Sequence, residues 1–310
     1  VEVIVMPVII PNDLPAATIL AAENIFTMTR FRAAHQDIRP LRIAILNLMP
    51  TRETTETQLL RVLGNSPLQT EVVLVRLDTH EYRNTSTEYL DRFYVPFSEI
   101  EHQKFDGLII TGAPVENLAF EEVHYWPELV KILDWSRHHG FATLHICWGA
   151  QAALYRHYKI PKLPLKEKCF GVFPHTALIQ NCKLLRGFDD VFDIPHSRHT
   201  TVAEADIRQI EDLEIVAVSP ESGVGIIVSR NGREIYATGH LEYDPGTLAA
   251  EYFRDVNKGL EIQPPAHYFE EDDPSKAPVV RWRSHAHLFF SNWLNYYVYQ
   301  ETPFNLDEIE

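Results

Sequence analysis

The chain has 310 residues, 45% hydrophobic and 23% charged, which suits a globular protein with a sizeable core. Its 28 basic and 43 acidic side chains leave a formal charge of −15. An acidic surface argues against nucleic acid or an anionic membrane as partner, since neither attracts it.

Residues 1–5 precede Met6 without the basic flank or cleavage site of a signal peptide, and read as an extension. Arg42–Leu48 has the apolar run of a buried strand, and Glu53–Leu63 follows as a helix. Glu71–Leu77 is the next strand. An acidic, helix-like stretch leads to a further strand, Asp106–Thr111. Pro127–His139 reads as a helix with its proline in the first turn, where a missing N–H costs nothing. Leu129, Val130 and Leu133 share one face, extended by Trp126. A short apolar run then ends at Cys147, and a helical pattern opens at Ala150. Strands alternating with helices predict an α/β fold, a mostly parallel sheet flanked by helices.

Further on, Glu214–Ser219, Gly225–Val228 and Glu234–Thr238 read as a meander of strands. Helix 246–258, entered through Asp244-Pro-Gly, places Leu248, Ala249, Tyr252, Phe253 and Val256 on one side. Residues 263–280 hold four prolines and the acidic run Glu270–Asp273, and read as a loop. In Arg281–Gln300, Trp282, Ala286, Phe289, Trp293 and Tyr297 fall at helical spacing, which predicts core packing. We expect one domain over 1–310, with 301–310 as a tail. There is no internal repeat, no G-x-G-x-x-G and no phosphate-loop lysine motif, so nucleotide binding has little support. No apolar run reaches the length of a membrane span.

The most informative stretch is residues 143–151, Thr-Leu-His-Ile-Cys-Trp-Gly-Ala-Gln. Strand, tight turn and helix would leave Cys147 on the turn, beside the positive helix N-terminus that favours thiolate. Gly149 lets a backbone pass closely, and the Trp148 N–H is placed to donate to a developing oxyanion. Taken alone, Cys147 also fits a buried, inert core cysteine. Residues 235–242, Ile-Tyr-Ala-Thr-Gly-His-Leu-Glu, strengthen the nucleophile reading. In an extended chain His240 and Glu242 share a side, so the glutamate would orient the imidazole. That is cysteine–histidine–acid logic for acyl transfer. Cys147, Cys169 and Cys182 form no disulfide framework and no paired metal-ligand spacing, so a reducing cytoplasm is expected and no metal.

The chain resembles the homoserine O-acyltransferases of the transsuccinylase type from about Met6 to Pro303. The likeness rests on Ile45-Leu-Asn-Leu-Met-Pro50, Gly64-Asn-Ser-Pro-Leu68, Phe105-Asp-Gly-Leu-Ile-Ile-Thr-Gly-Ala-Pro114, His145-Ile-Cys-Trp-Gly149, Pro195-His-Ser-Arg198, Gly239-His-Leu-Glu-Tyr-Asp244 and Asn292-Trp-Leu-Asn-Tyr-Tyr-Val-Tyr-Gln300. It implies a fold like class I glutamine amidotransferases, elaborated at both ends, and a homodimer. It also implies ping-pong transfer of an acyl group from acyl-CoA, through a cysteine thioester, to the hydroxyl of L-homoserine for methionine biosynthesis. Cys147 would be the nucleophile, His240 the base and Glu242 its partner. Lys168, Ser197 and Arg254 would bind substrate, a guanidinium suiting homoserine's carboxylate. Acyl-CoA is a co-substrate, and no cofactor is implied.

Family members that use acetyl-CoA carry glutamate at the place of Glu116, whereas succinyl-CoA users carry glycine. The physics agrees, because Glu116 would repel a succinyl carboxylate: two like charges about 4 Å apart, at an effective dielectric near 20, repel by roughly 4 kcal/mol. Acetyl-CoA is therefore the expected donor, with succinyl-CoA the alternative. Many relatives carry lysine where this chain has Arg52, in Met49-Pro-Thr-Arg-Glu53, and its role stays open. Cys147-Trp-Gly-Ala-Gln151 also satisfies the Cys-x-Gly-x-Gln pattern of glutamine amidotransferases, a competing activity. A redox-sensing, non-enzymatic member of the fold and a serine acceptor are further readings.

Overall fold

A computed structural model of the chain describes residues 8–11, 13–22, 27–29, 39–82 and 84–309. The extension 1–5 lies outside the described residues. The strands are β1 Val8–Ile10, β2 Thr27–Thr29, β3 Leu41–Leu46, β4 Thr70–Arg76, β5 Tyr94–Pro96, β6 Phe105–Ile110, β7 Gly140–Ile146, β8 Lys162–Ala177, β9 Val191–Val202, β10 Leu213–Ser219, β11 Gly223–Ser229 and β12 Glu234–Ala237. They form one sheet in the order β2-β1-β4-β3-β6-β7-β12-β11-β10-β8-β9, with β5 beside β4. From β2 to β12 the neighbours are parallel, and from β12 to β9 antiparallel. The mostly parallel sheet flanked by helices is the expected architecture.

Strand residues alternate between two cores. Ile43 and Ile45 of β3 face one core, shared with Leu59, Leu60 and Leu63 of helix Arg52–Leu63 and with Phe289 and Trp293. Ala44 and Leu46 face the other, shared with Leu129, Ile132 and Leu133 of helix Trp126–His139. Because both faces are covered, β6 is buried at every position, which explains the apolar run Leu108-Ile-Ile110. Each fully buried leucine contributes about 1.5–3 kcal/mol.

Three features differ from the sequence expectation. The long hairpin of β8 and β9 has no counterpart in it. Pro164, Pro174 and Pro195 lie inside these strands, and proline lacks the N–H that a ladder needs. Helix Thr247–Asn257 has the expected period but another phase. Leu248 and Asp255 are buried, whereas Phe253 and Val256 stay 44% and 43% exposed. The inward face must carry polar groups toward the site described below, and this displaces the apolar stripe. The C-terminal aromatic segment is an α-helix over Arg283–Asn292 and then a π-helix over Trp293–Tyr299. Trp282, Ala286, Phe289 and Trp293 are buried in the core as expected, and Tyr297 packs against it half-buried. Among the described residues no helix is long and apolar enough to cross a membrane.

Candidate active site

Cys147 sits between β7 and helix Trp148–Tyr158 with φ 51° and ψ −116°. A side chain at positive φ is strained by about 1–3 kcal/mol, so its surroundings must hold it. They do so through Cys147 N–H, which donates to the Ala237 carbonyl at 2.7 Å, and the Cys147 carbonyl, which accepts from Gln151 N–H at 3.2 Å. A Cβ on Gly149 would lie 2.6 Å from the Thr111 carbonyl oxygen and 2.9 Å from that of Ile110. Only glycine lets the helix start this close to the end of β6. Trp148 opens the helix, so its backbone N–H has no partner within the helix and is free for an oxyanion. The Trp148 indole is buried against Phe120 and Tyr125.

Register brings His240 to Cys147. β12 lies parallel to β7 with Ala237 level with Ile146, so the turn after β12 passes Cys147. A Cβ on Gly112 would be 3.3 Å from Cys147 Cβ and 3.6 Å from His240 Cε1, which places both side chains around one bare backbone position. His240 Nδ1 and Glu242 Oε1 are 2.7 Å apart, and both residues are buried. The pair forms in a turn, not in the extended strand expected, because β12 stops at Ala237. Tyr243 N–H closes that turn on the His240 carbonyl at 3.3 Å. Burial opposes a charged imidazole, but Cys147 and Glu242 outweigh it and hold His240 well above its usual pKa.

A polar cluster adjoins this triad. Ser197 lies within β9, opposite Phe170 of β8, and not in a simple turn. His196 and Arg198 on either side of it are buried, and strand alternation sends Ser197 to the other face. Burial pushes the His196 imidazole well below its ordinary pKa, so it is a neutral structural ring, accepting from Arg198 Nε at 3.3 Å. His240 N–H donates to the Pro195 carbonyl at 2.7 Å, which fixes β9 beside the base. Between Pro164 and Cys169 the pairing of β8 shifts register, and such bulges re-aim side chains. Lys168 falls in that bulge, with its ammonium 3.9 Å from the Phe170 ring centre. Ser197 Oγ donates to Glu251 Oε2 at 2.5 Å, and Lys168 Nζ approaches the same oxygen at 3.4 Å. Tyr243 Oη donates to Glu251 Oε1 at 3.2 Å.

The other expected site residues lie around this centre. Arg254, three residues beyond Glu251, makes a bidentate pair with Asp255 at 2.7 and 3.0 Å and is half-exposed. Glu116, on the loop after β6, accepts the His199 N–H of β9 at 3.0 Å, while its carbonyl binds Lys162. Arg52 is buried apart from the triad, its guanidinium 3.9 Å from the Tyr82 ring centre. It lines a cavity of about 590 Å³ with Met49, His80, Tyr82, Pro114 and Val115. Gln151 of the amidotransferase-like pattern is locked to Thr200, donating to its carbonyl at 3.2 Å and accepting its hydroxyl at 2.7 Å.

A family model described as homoserine O-succinyltransferase matches residues 7–304. The chain belongs to that family. It is 60% identical over 305 residues to a homoserine O-acetyltransferase of Acetivibrio thermocellus, covering 98% of this chain and all of that one. It is 61% identical over 302 residues to a homoserine O-acetyltransferase of Brevibacillus brevis, covering 97% and 99%. In fold it is similar to the solved structure of SMU.1228c, at a TM-score of 0.53 and 17% identity over 81% of this chain and 97% of that one.

Within this member of the homoserine O-succinyltransferase family, the geometry adds Gly112, Tyr243 and Glu251 to the site residues legible in sequence. Tyr243 directly follows the His-x-Glu pair. Glu251 stands one helical turn before Arg254, a spacing that puts both on neighbouring positions of one helix surface.

Proposed function

We propose that the chain is a homoserine O-acetyltransferase working by ping-pong through an acetyl-cysteine. One observation carries the chemistry: a strained, buried Cys147 that shares the bare backbone of Gly112 with a His240–Glu242 pair, beside the cluster of Lys168, Ser197 and Glu251. The Cys147 thiolate attacks the thioester carbonyl of acetyl-CoA, and the oxyanion takes the Trp148 N–H. The carbon–sulfur bond to CoA breaks, and the departing thiolate takes the His240 proton. Acetylation takes away the Cys147 contribution that raises the His240 pKa, so the imidazole becomes a base when one is needed. His240 then accepts the homoserine hydroxyl proton as the oxygen attacks the acetyl-cysteine. Thiolate and imidazolium return as O-acetylhomoserine leaves.

Glu251 is suited to the ammonium of homoserine, and Lys168 and Arg254 to its carboxylate. Acetyl over succinyl is supported by Glu116, half-buried on the loop that follows Gly112, whose backbone carbonyl is held by Lys162. It is supported too by the printed activity of relatives near 60% identity. The scheme needs two small substrates, with acetyl-CoA the only coenzyme.

Intact-mass measurement after acetyl-CoA alone tests the first half. One acetyl group is expected on the wild type and none on Cys147→Ala. Free-CoA release, crossing acetyl- and succinyl-CoA with homoserine and serine, tests the rest. An adduct persisting on Cys147→Ala, or ammonia release from glutamine without acyl transfer, overturns the reading.

A further inference from the structure

The Tyr243 ring stacks on the His240 imidazole, with centroids 4.1 Å apart and planes 15° apart. Its hydroxyl reaches Glu251, the acceptor for Ser197 and Lys168. Its backbone is held on both sides. Its N–H donates to the His240 carbonyl at 3.3 Å, and its carbonyl accepts the Trp282 indole N–H at 2.9 Å. Trp282 is itself buried in the core where the C-terminal helix begins. The side chain therefore cannot drift, and it touches the proton-moving group with its face and the polar cluster with its tip.

We propose that Tyr243 is a positioning residue that joins the two halves of the reaction, aiming the His240 ring with its face and the Glu251 carboxylate with its hydroxyl. This rests on the homoserine O-acetyltransferase reading above. A stacked ring removes the freedom of the imidazole to turn about Cβ–Cγ, and its π face favours the imidazolium form. The hydroxyl bond presets which Glu251 oxygen is left to Ser197 and Lys168, and hence where an ammonium can be received. The charged or titratable groups facing His240 are Cys147, Glu242, Tyr243 and, more weakly, the neutral His196.

Two variants separate the functions of face and tip. Tyr243→Phe keeps the ring and loses the hydroxyl, and Tyr243→Leu loses both. For each, single-turnover CoA release without acceptor reports acetylation. Transfer from the acetyl-enzyme to homoserine is then followed against homoserine concentration and pH. For Tyr243→Phe we expect acetylation within about twofold of wild type and a homoserine KM raised roughly 10- to 100-fold, the range of one hydrogen bond to a charged group. Its pH profile for transfer should not move. For Tyr243→Leu the same KM effect should appear, and the rise of the transfer rate with pH should shift to lower pH. A Tyr243→Phe enzyme with unchanged KM, or both variants slowing both half-reactions equally with no pH shift, overturns the proposal. If the wild type itself forms no acetyl-enzyme, the function reading fails first, and Tyr243 falls with it.

Discussion

Glu251 Oε2 accepts the Ser197 hydroxyl at 2.5 Å, tying helix Thr247–Asn257 to strand β9 across 54 residues of sequence. The same oxygen is approached by Lys168 from the β8 bulge. One carboxylate thus gathers a hydroxyl, an ammonium and, through Oε1, a phenol.

From this arrangement Glu251→Gln should leave acetyl-enzyme formation near wild type and raise the homoserine KM. A charge-assisted hydrogen bond is worth about 1.5–3 kcal/mol, so roughly 10- to 100-fold is expected. Steady-state kinetics at saturating acetyl-CoA would check it. Equal loss in both half-reactions would show that Glu251 only supports the fold.

Glu242 raises the His240 pKa in competition with burial, so removing its charge must lower that pKa. In the acetyl-enzyme the thiolate is gone, and transfer to homoserine needs neutral imidazole. The rate of that step rises with pH through the imidazole pKa in wild type. In Glu242→Gln the rise should occur at lower pH, with a lower plateau because the ring is less well oriented. Single-turnover transfer from preformed acetyl-enzyme across pH measures both. A limb that stays put or moves upward contradicts the assigned role.

Donor choice can be read at Glu116. Wild type should prefer acetyl-CoA, and Glu116→Gly should raise succinyl-CoA turnover and narrow the ratio of kcat/KM between donors. The substitution also strips the His199 N–H of its acceptor, so a stability loss of about 1 kcal/mol should accompany it. Kinetics with both donors at fixed homoserine, together with a melting curve, separate the two effects. An unmoved donor ratio would leave Glu116 as a clamp between its loop and β9.

Gly149→Ala tests the elbow itself. The added methyl would meet the Thr111 carbonyl oxygen at 2.6 Å, and backbone cannot swing aside as a side chain can. Overpacking of this kind costs about 1–3 kcal/mol. Shifting the helix also displaces the Trp148 N–H and Cys147 together. We expect acetylation to slow more than about tenfold while the protein remains folded by circular dichroism. Wild-type acetylation rates would show that the contact is easily relieved.

Much of this was legible along the chain because it is local. The Cys147 elbow needs only an apolar strand, a glycine two residues on and a helix start, and these lie within 143–151. His240 and Glu242 are two residues apart, so their pairing survived even though the backbone between them is a turn and not a strand. The buried parallel strands announced themselves by apolar runs, since covering both faces of a sheet leaves little room for polar side chains.

What the sequence by itself determined, then, is the α/β alternation, the elbow and the grouping of Cys147, His240 and Glu242. Which residues complete the site was decided only by the tertiary structure. Glu251 and Tyr243 converge with Ser197 and Lys168 because β8 and β9 pair over long range, with prolines that hide them from strand patterns and a bulge that no local period encodes. The phase of helix Thr247–Asn257 was likewise set from outside. Its polar Glu251 turns inward to meet the hairpin and Asp255 is buried, leaving apolar Phe253 and Val256 exposed. A helix reports its own periodicity, but the face it buries depends on what it is packed against.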